Sequence, residues 1–304
     1  MMKAHFRDYL LLHFIVFIWG FTAILGKLIQ ISALELVFYR TLFAFVSLGI
    51  LMTLRKRNFI IGGVEIVKIL ANGVLIGLHW VFFFASVKVA TVSVCLAGMA
   101  TATLWTSILE PVMGKRKIRI FEVLLGIIII FGLYVIFRFE FDHLLGLIFS
   151  IFSAFLAALF FVINSKFAMK HDHYMVTFYE MVGAFLGTAF FLLVYGFWLA
   201  GDSYTINLAG SGMDYLYLLI LALVCTVYPL AISVELMKRL TVFSINLTIN
   251  LEPVYGIILA LIIFKEKENM STGFYLGTLI ILMAVIIHPF IQRRLMQRRL
   301  RSRP

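Results

Sequence analysis

Long runs of apolar residues, separated by short polar connections, follow one another along the whole chain. A helix needs about 20 mostly apolar residues to cross a ~30 Å hydrocarbon core. Runs of this length predict helices over residues 10–30, 33–54, 66–87, 91–113, 118–138, 143–165, 174–199, 213–236, 242–264 and 271–291. The pattern therefore predicts an all-α integral membrane protein with ten transmembrane helices.

The ninth predicted helix carries an acid and a proline in the middle of its apolar run. At 1.5 Å per residue, Glu252 lies about 16 Å into this helix, near the membrane midplane. An ionised acid there costs at least ~2.5 kcal/mol, so it must face protein or water, bind a proton or have a partner. Pro253 frees polar backbone groups beside the acid, which lipid cannot satisfy. The segment therefore predicts the wall of a polar site inside the membrane.

Other polar side chains on this helix form two stripes at helical spacing. One stripe contains Asn246, Asn250 and Pro253, and the other contains Ser244, Thr248 and Glu252. The stripes point in nearly opposite directions, so one is expected to line a cavity and the other to bind a neighbouring helix. We favour the Glu252 stripe for the cavity, and we count Asn250 and Thr248 with Glu252 as candidate substrate-binding residues.

Three landmarks occur in the same order in both halves of the chain. The pattern Phe-Tyr-x-x-x-x-Ala-Phe begins at Phe38 and again at Phe178, the stretch 88–92 resembles 238–242, and Gly126 matches Gly277. Each half then holds five helices, and this odd number inverts the second half relative to the first. Inverted repeats are typical of transporters whose site lies at the repeat interface. We predict two inverted five-helix repeats around a central cavity, over residues 1–140 and 141–292, and a basic tail at 293–304.

The repeat register decides which residues are equivalent to Glu252. The tetrapeptide Leu-Glu-Pro-Val occurs around both Glu110 and Glu252, but the two copies are out of register. In register, Glu252 aligns with Thr101, which makes Thr101 a further candidate substrate-binding residue. We expect Glu110 and Glu252 to have different roles.

Two more charged residues, Arg40 and Glu180, occupy equivalent positions in helices 2 and 7. Inversion places them on opposite sides of the midplane, so we expect no direct pair between them. For Arg40 the alternatives are snorkelling to the outer interface or lining an outward vestibule. Glu180 is either a gate residue at the cytoplasmic mouth or a structural hydrogen-bond partner. We count Arg40, Glu180 and Pro253 as candidate gating or coupling residues.

Helices 3 and 8 carry a titratable group and aromatic surfaces at matching positions. His79 and Trp80 match Tyr228 and Pro229, and we include His79, Trp80 and Tyr228 among the candidate substrate-binding residues. Packing is the alternative role for a single intramembrane histidine. A Gly-x-x-x-Gly pair at Gly273 and Gly277 predicts close helix packing, either within the fold or in a homodimer.

Composition and charge support the membrane assignment. The 304 residues are 63% hydrophobic and only 13% charged, with a mean hydropathy of +1.05, which excludes an ordinary soluble domain. The net charge of +11 comes mostly from Lys and Arg in alternate connections and in the tail. By the positive-inside rule, both termini are expected to be cytoplasmic, in a multi-pass protein of the cell (inner) membrane. The basic tail is expected to bind anionic membrane lipid rather than nucleic acid.

These features together resemble the drug/metabolite transporter superfamily, and within it the ten-helix EamA-type permeases. The resemblance rests on Trp19-Gly20, Arg40, the 88–91 segment, Pro253, Lys265-Glu266-Lys267 and the spaced glycines that end each half. One departure is in helix 4, which has no proline near position 102 but has Pro111. The resemblance implies a two-repeat fold with a central cavity, alternating access, and often efflux of amino acids, metabolites or drugs. It adds Trp19 to the candidate substrate-binding residues.

The leading hypothesis is a secondary active transporter that exports a small organic solute, with Glu252 binding a proton or a substrate ammonium group. The alternatives are a passive channel or membrane scaffold, and an intramembrane enzyme. The sequence lacks G-x-x-x-x-G-K-[ST], H-E-x-x-H and G-x-S-x-G, so we expect no enzyme activity, no cofactor and no metal site.

Overall fold

The structure is a computed structural model that describes residues 6–114, 120–139, 141–195, 210–240, 245, 248–249, 251–265 and 270–301. Within these ranges the chain is helical and contains no strand, which confirms the all-helical prediction. Much of the predicted ninth helix before Leu251, including Asn246 and Asn250, lies outside the described residues.

The helices are, in chain order, α1 (Phe6–Leu28), α2 (Ala33–Leu54), α3 (Gly63–Val89), α4 (Val92–Met113), α5 (Ile120–Phe139), α6 (Leu144–Ala168), α7 (His173–Val194), α8 (Gly212–Leu236), α9 (Glu252–Phe264) and α10 (Thr272–Arg301). Seven of the described helices, α1 to α4 and α6 to α8, are long and apolar enough to cross a membrane. Shorter apolar helices, at Leu124–Ile136, Glu252–Phe264 and Thr272–Ala284, lie in α5, α9 and α10.

Polar caps explain where several apolar runs begin as helices. At α2, Ser32 and Glu35 form a capping box, in which each side chain accepts a hydrogen bond from the backbone of the other. Ser211 and Asp214 form the same arrangement at α8, and Asp172 caps α7. Such caps satisfy backbone N–H groups in the first turn that have no partner within the helix. The short Ser- and Asp-containing connections therefore set the helix starts.

The helices α4 and α9 are interrupted within their apolar runs. α4 consists of Val92–Met99 and Ala102–Met113, joined by a turn at residues 100–101. α9 begins at Glu252, directly after a turn, and has Pro253 in its first turn. Irregular backbone within an apolar segment is tolerated where it lines a cavity or is buried in protein. Both interruptions therefore indicate the depth at which a cavity is expected.

Contacts between helices from the two halves hold the bundle together. α3 packs against α6 and α7, and α7 also packs against α2. α8 packs against α1 and α2, while α1 packs against α9, α4 against α6, and α5 against α10. The two halves are therefore interleaved rather than separate bodies.

Glycines allow two of these helix pairs to approach closely. A Cβ atom on Gly73 of α3 would overlap the backbone oxygen of Glu180 in α7, and one on Gly183 would overlap that of Leu70. At the other pair, a Cβ on Gly277 of α10 would lie 2.6 Å from the backbone oxygen of Gly132 in α5. Gly277, one of the predicted Gly-x-x-x-Gly pair, thus packs within the fold.

Polar contacts connect the helices at each end of the bundle. At one end, Arg239 beyond α8 lies 3.4 Å from Asp8 of α1, and Glu235 lies 3.0 Å from His173 of α7. Arg57, which follows α2, lies 3.7 Å from Asp172 at the same end. These contacts connect α1, α2, α7 and α8.

At the opposite end, the backbone N–H of Gln30 donates to Asp214 at 2.8 Å, and Lys27 donates to the carbonyls of Val87 and Ala90. These groups come from the end of α1 and the connection after it, the start of α8 and the end of α3. Successive connections between helices therefore lie at alternate ends of the bundle.

Candidate functional site

A partly enclosed cavity lies in the middle of the bundle, between α1, α2, α3, α4, α6, α8 and the start of α9. Its empty volume, which includes the space open to solvent at its mouth, is about 830 Å³. In the described part of the chain its wall includes four aromatic side chains, Trp19, Trp80, Phe83 and Phe161. It also includes four threonines, Thr22, Thr103, Thr106 and Thr226, together with Arg40, His79, Glu252 and Pro253.

Arg40 extends from α2 towards α8 and is only 1% exposed. Its Nε donates to the hydroxyl of Thr226 at 2.7 Å, and its Nη2 donates to the carbonyl of Cys225 at 3.5 Å. The guanidinium carbon lies 3.9 Å from the ring centroid of Trp80, which is a cation–π contact. The third nitrogen, Nη1, is buried and has no hydrogen-bond partner among the described residues.

A π-helical turn in α8 positions Thr226 for this contact. The turn covers Leu223–Val227, and the hydroxyl of Thr226 donates to the carbonyl of Leu221 at 2.7 Å. The oxygen of the same hydroxyl accepts from Arg40, so its donor and acceptor capacities are both used. π-helical turns are rare and often occur at functional sites.

Glu252 is half-buried at the start of α9, on the cavity wall. Glu252 and Arg40, which have opposite formal charges, both lie on the wall of this cavity. The Glu252 carboxylate makes no hydrogen bond to any other described residue. Ile249, Glu252 and Pro253 all line the cavity, so members of both predicted stripes contribute to the wall.

Several polar atoms of the cavity wall are buried without a hydrogen-bond partner in the described part of the structure. They are Arg40 Nη1, Thr22 Oγ1 and Thr103 Oγ1. Most buried polar groups in proteins do have a partner, so several unpartnered groups in one cavity need an explanation. Because all three atoms are buried, a polar solute or water can reach them only if neighbouring side chains move.

His79 joins the cavity wall to α6. Its Nδ1 lies 2.8 Å from the Ser153 hydroxyl and 3.0 Å from the Ser153 carbonyl, while that hydroxyl also lies 2.9 Å from the His79 carbonyl. The imidazole is thus fixed against a neighbouring helix at the edge of the cavity.

Other residues predicted for the site lie elsewhere in the described structure. The Thr101 hydroxyl donates to the carbonyl of Gly98 within α4, and Thr248 is buried next to the turn before α9. Tyr228 is 41% exposed and packs against Phe14. Asn250 lies outside the described residues. Thr22, Thr226 and Phe161 line the cavity but were not among the predicted residues.

Glu180 forms a second polar site, apart from the cavity. It is fully buried where α7 crosses α3, and its carboxylate accepts hydrogen bonds from Asn72 at 2.9 Å and Asn164 at 3.4 Å. Asn72 belongs to α3 and Asn164 to α6, so three helices meet at this carboxyl group.

Helices that can cross a membrane, arranged around a central cavity with buried charges, define a multi-pass membrane protein. The sequence model of the EamA-like transporter family matches residues 7–138 and again residues 144–288. The chain therefore belongs to the EamA-like transporter family, which confirms the resemblance inferred from the sequence. Residues of both matched segments line the cavity.

A solved structure, titled "Crystal structure of protein", is similar to this chain in fold. It has 14% sequence identity and a TM-score of 0.65, over 96% of this chain and 99% of the other. At this identity the similarity applies to the fold alone. No curated protein matches the chain.

Proposed function

We propose that this protein is a secondary active transporter that exports a small organic solute by alternating access. The observation that carries the proposal is the cavity between the two matched segments, whose wall contains Arg40 and Glu252 beside polar atoms that have no partner among the described residues. Buried charges inside a membrane are costly and are typical of substrate and ion pathways.

The proposed architecture consists of ten transmembrane helices in two inverted five-helix repeats, at 1–140 and 141–292, with a basic tail at 293–304. If α1 to α5 correspond to α6 to α10, the contact of α1 with α9 corresponds to that of α4 with α6. The contact of α3 with α7 corresponds likewise to that of α8 with α2. α4 breaks at residues 100–101, which align with the start of α9. Interrupted helices at corresponding positions support a substrate site between inverted repeats.

The proposed orientation places both termini in the cytoplasm, in the cell (inner) membrane. The bundle end that carries Arg57, Lys68 and Arg239 then faces the cytoplasm, in agreement with the positive-inside rule.

The proposed substrate class is a zwitterion with an apolar or aromatic body, such as an amino acid. The unpartnered Nη1 of Arg40 is a donor suited to a carboxylate, and the Glu252 carboxylate is suited to an ammonium group. Trp19, Trp80 and Phe161 provide aromatic surface for the rest of the molecule. We also propose that Glu252 binds the substrate and a proton alternately, so that one is exchanged for the other.

The test is solute flux in proteoliposomes with an imposed pH gradient and an internal pH dye. Three matched solutes are compared: an apolar amino acid, the amine without its carboxylate, and the acid without its ammonium group. The wild type and Glu252→Gln are measured beside Glu110→Gln, which changes the acid of the identical Leu-Glu-Pro-Val tetrapeptide outside the cavity wall. We expect the wild type to transport the amino acid and to dissipate the pH gradient. In Glu252→Gln, we expect the amino acid to be transported no better than the acid that lacks an ammonium group.

Each other outcome points to a different function. Solute flux without proton movement indicates a facilitator, and unsaturable flux indicates a channel. A Glu252→Gln variant that transports like the wild type contradicts the role proposed for Glu252. If no solute of the panel moves in the wild type, the proposed substrate class is wrong.

A further inference from the structure

Among the described residues, the hydrogen bonds to the buried Glu180 carboxyl group come from neutral amides. Glu180 and Asn164 are fully buried, and Asn72 is 2% exposed. The two carboxylate oxygens each accept a hydrogen bond from one amide nitrogen, Asn72 Nδ2 and Asn164 Nδ2. The cavity residues do not include any of the three.

No charged side chain in the described ranges faces this carboxyl group. On α3, Glu65 pairs with Lys68 and lies near His171, and on α8, Glu235 lies near His173 and Lys238. From α2, Arg40 is directed towards Thr226 and Trp80, and Lys166 of α6 is exposed. An ionised Glu180 is thus a buried charge without a counter-charge, which costs several kcal/mol.

The same amides can also serve the neutral acid. A protonated carboxyl group needs an acceptor for its O–H, and the oxygens of both Asn72 and Asn164 are buried without partners among the described residues. Rotating an asparagine amide by about half a turn exchanges its donor and acceptor, so Asn72 can donate to the carboxylate or accept from the acid. The site can therefore satisfy Glu180 in both of its protonation states.

We propose that Glu180, Asn72 and Asn164 form a proton-binding site outside the substrate cavity, through which proton movement is coupled to transport. The carboxylate takes up a proton from water at the proposed cytoplasmic end, and the resulting O–H donates to Asn72 Oδ1. This proposal rests on the transport function proposed above, because it assigns a proton to the same alternating-access cycle.

The position of the site explains how a proton affects conformation. Glu180 lies at the close crossing of α3 and α7, where its own backbone oxygen contacts Gly73. These two helices belong to different halves of the chain, so a change in hydrogen bonding here changes the contact between the halves. A group that favours one arrangement of two packed helices can shift the equilibrium between conformations.

The decisive experiment is infrared difference spectroscopy of the full chain in lipid over a series of pH values. We expect the carbonyl band of a buried neutral carboxyl group to appear as the pH is lowered, and to be lost in Glu180→Gln. The band should remain in Glu252→Gln, and it should shift in Asn72→Ala, because a hydrogen bond to this carboxyl group is lost. Glu180→Gln should also lose pH-driven solute accumulation in proteoliposomes.

A Glu180 band that stays constant over the whole pH range identifies a permanently neutral structural acid and overturns the proposal. The absence of any band that depends on Glu180 overturns it as well. If Glu180→Gln does not fold, the wild-type titration together with the Asn72→Ala shift still decides the question. If the wild type moves no solute at all, the proposed function fails, whereas the infrared result still decides whether Glu180 binds a proton reversibly.

Discussion

Arg40, on the cavity wall, uses two of its three guanidinium nitrogens to hold its own position. Nε and Nη2 donate to Thr226 and to the Cys225 carbonyl, the guanidinium lies over Trp80, and Nη1 has no partner among the described residues. A planar guanidinium can do all of this at once, whereas a lysine ammonium cannot keep the stacked and forked geometry. The residue is therefore suited to fixing the orientation of a carboxylate.

Arg40→Lys should consequently weaken recognition of the carboxylate while keeping the charge. We expect the KM for the amino acid to rise about tenfold, which corresponds to the loss of one charge-assisted hydrogen bond of ~1.5 kcal/mol. The KM for the amine without a carboxylate should change little, because that solute does not use Nη1. Concentration-dependent flux in proteoliposomes measures both values.

Arg55→Lys is the matched control for this substitution. Arg55 lies at the end of α2, where its Nη1 donates to the Tyr174 hydroxyl far from the cavity wall. An equal rise in KM for both solutes in Arg40→Lys would show that the guanidinium shapes the cavity rather than binding a carboxylate.

At the scale of single residues, some residues of the cavity wall can be predicted from the sequence and others cannot. Arg40, Glu252, His79 and Trp80 stand out because a charged, titratable or large polar side chain is costly in an apolar run. Thr226 does not stand out, because a threonine in a helix can bond to its own backbone at little cost. Its contact with Arg40 depends on the π-helical turn in α8, and hydrophobic periodicity does not report such a turn.

At the scale of helices, glycines permit a close contact between the two halves of the chain where α3 crosses α7. Gly73→Ala and Gly183→Ala each place a methyl group against the backbone of the other helix. We expect each substitution to lower the free energy of unfolding by about 1–3 kcal/mol, the usual cost of overpacking. Thermal unfolding in detergent, followed by tryptophan fluorescence, measures the effect.

Gly63→Ala provides the control on the same helix. A Cβ atom at Gly63 has no neighbour within 4 Å, so this substitution should not lower the thermal midpoint. Equal thermal unfolding midpoints for Gly73→Ala, Gly183→Ala and the wild type would mean that α3 and α7 can move apart without loss of stability.

The sequence predicts helices more reliably than it predicts their interruptions. The predicted segment 33–54 coincides with α2, and 213–236 differs from α8 by one residue, because Ser32, Ser211 and Asp214 provide local caps. The break in α4 occurs without the proline that the family pattern places near position 102. Gly98 packs against Ser150 of α6 beside this break, and a contact so distant in sequence is not visible in local patterns.

At the scale of the whole molecule, polar and ionic contacts connect α1, α7 and α8 at one end of the bundle. Glu235 of α8 lies 3.0 Å from His173 of α7 and 3.4 Å from Arg239, and Arg239 lies 3.4 Å from Asp8 of α1. Glu235 and its partners thus connect three helices at this end. In an alternating-access cycle such contacts must break when this end opens.

Glu235→Gln should therefore make the cavity more accessible from this end. The reporter is a cysteine at Thr22→Cys in the cavity wall, labelled by a membrane-impermeant thiol reagent added to one side of sealed vesicles. We expect the labelling rate from the proposed cytoplasmic side to rise about fivefold, as the loss of ~1 kcal/mol of ionic stabilisation implies. The same measurement with Thr22 retained gives the background from Cys95 and Cys225.

Lys68→Gln separates this gating effect from a general loss of charge at the same end. Lys68 pairs with Glu65 at 2.8 Å within α3, so removing it breaks an ion pair without releasing a second helix. In Lys68→Gln, labelling from the proposed cytoplasmic side should therefore stay at the wild-type rate. In Glu235→Gln, labelling from the opposite side should fall, because more of the protein is in the conformation open to the cytoplasmic side. Faster labelling from both sides in Glu235→Gln would indicate a loosened bundle, because a two-state equilibrium cannot open both ends together.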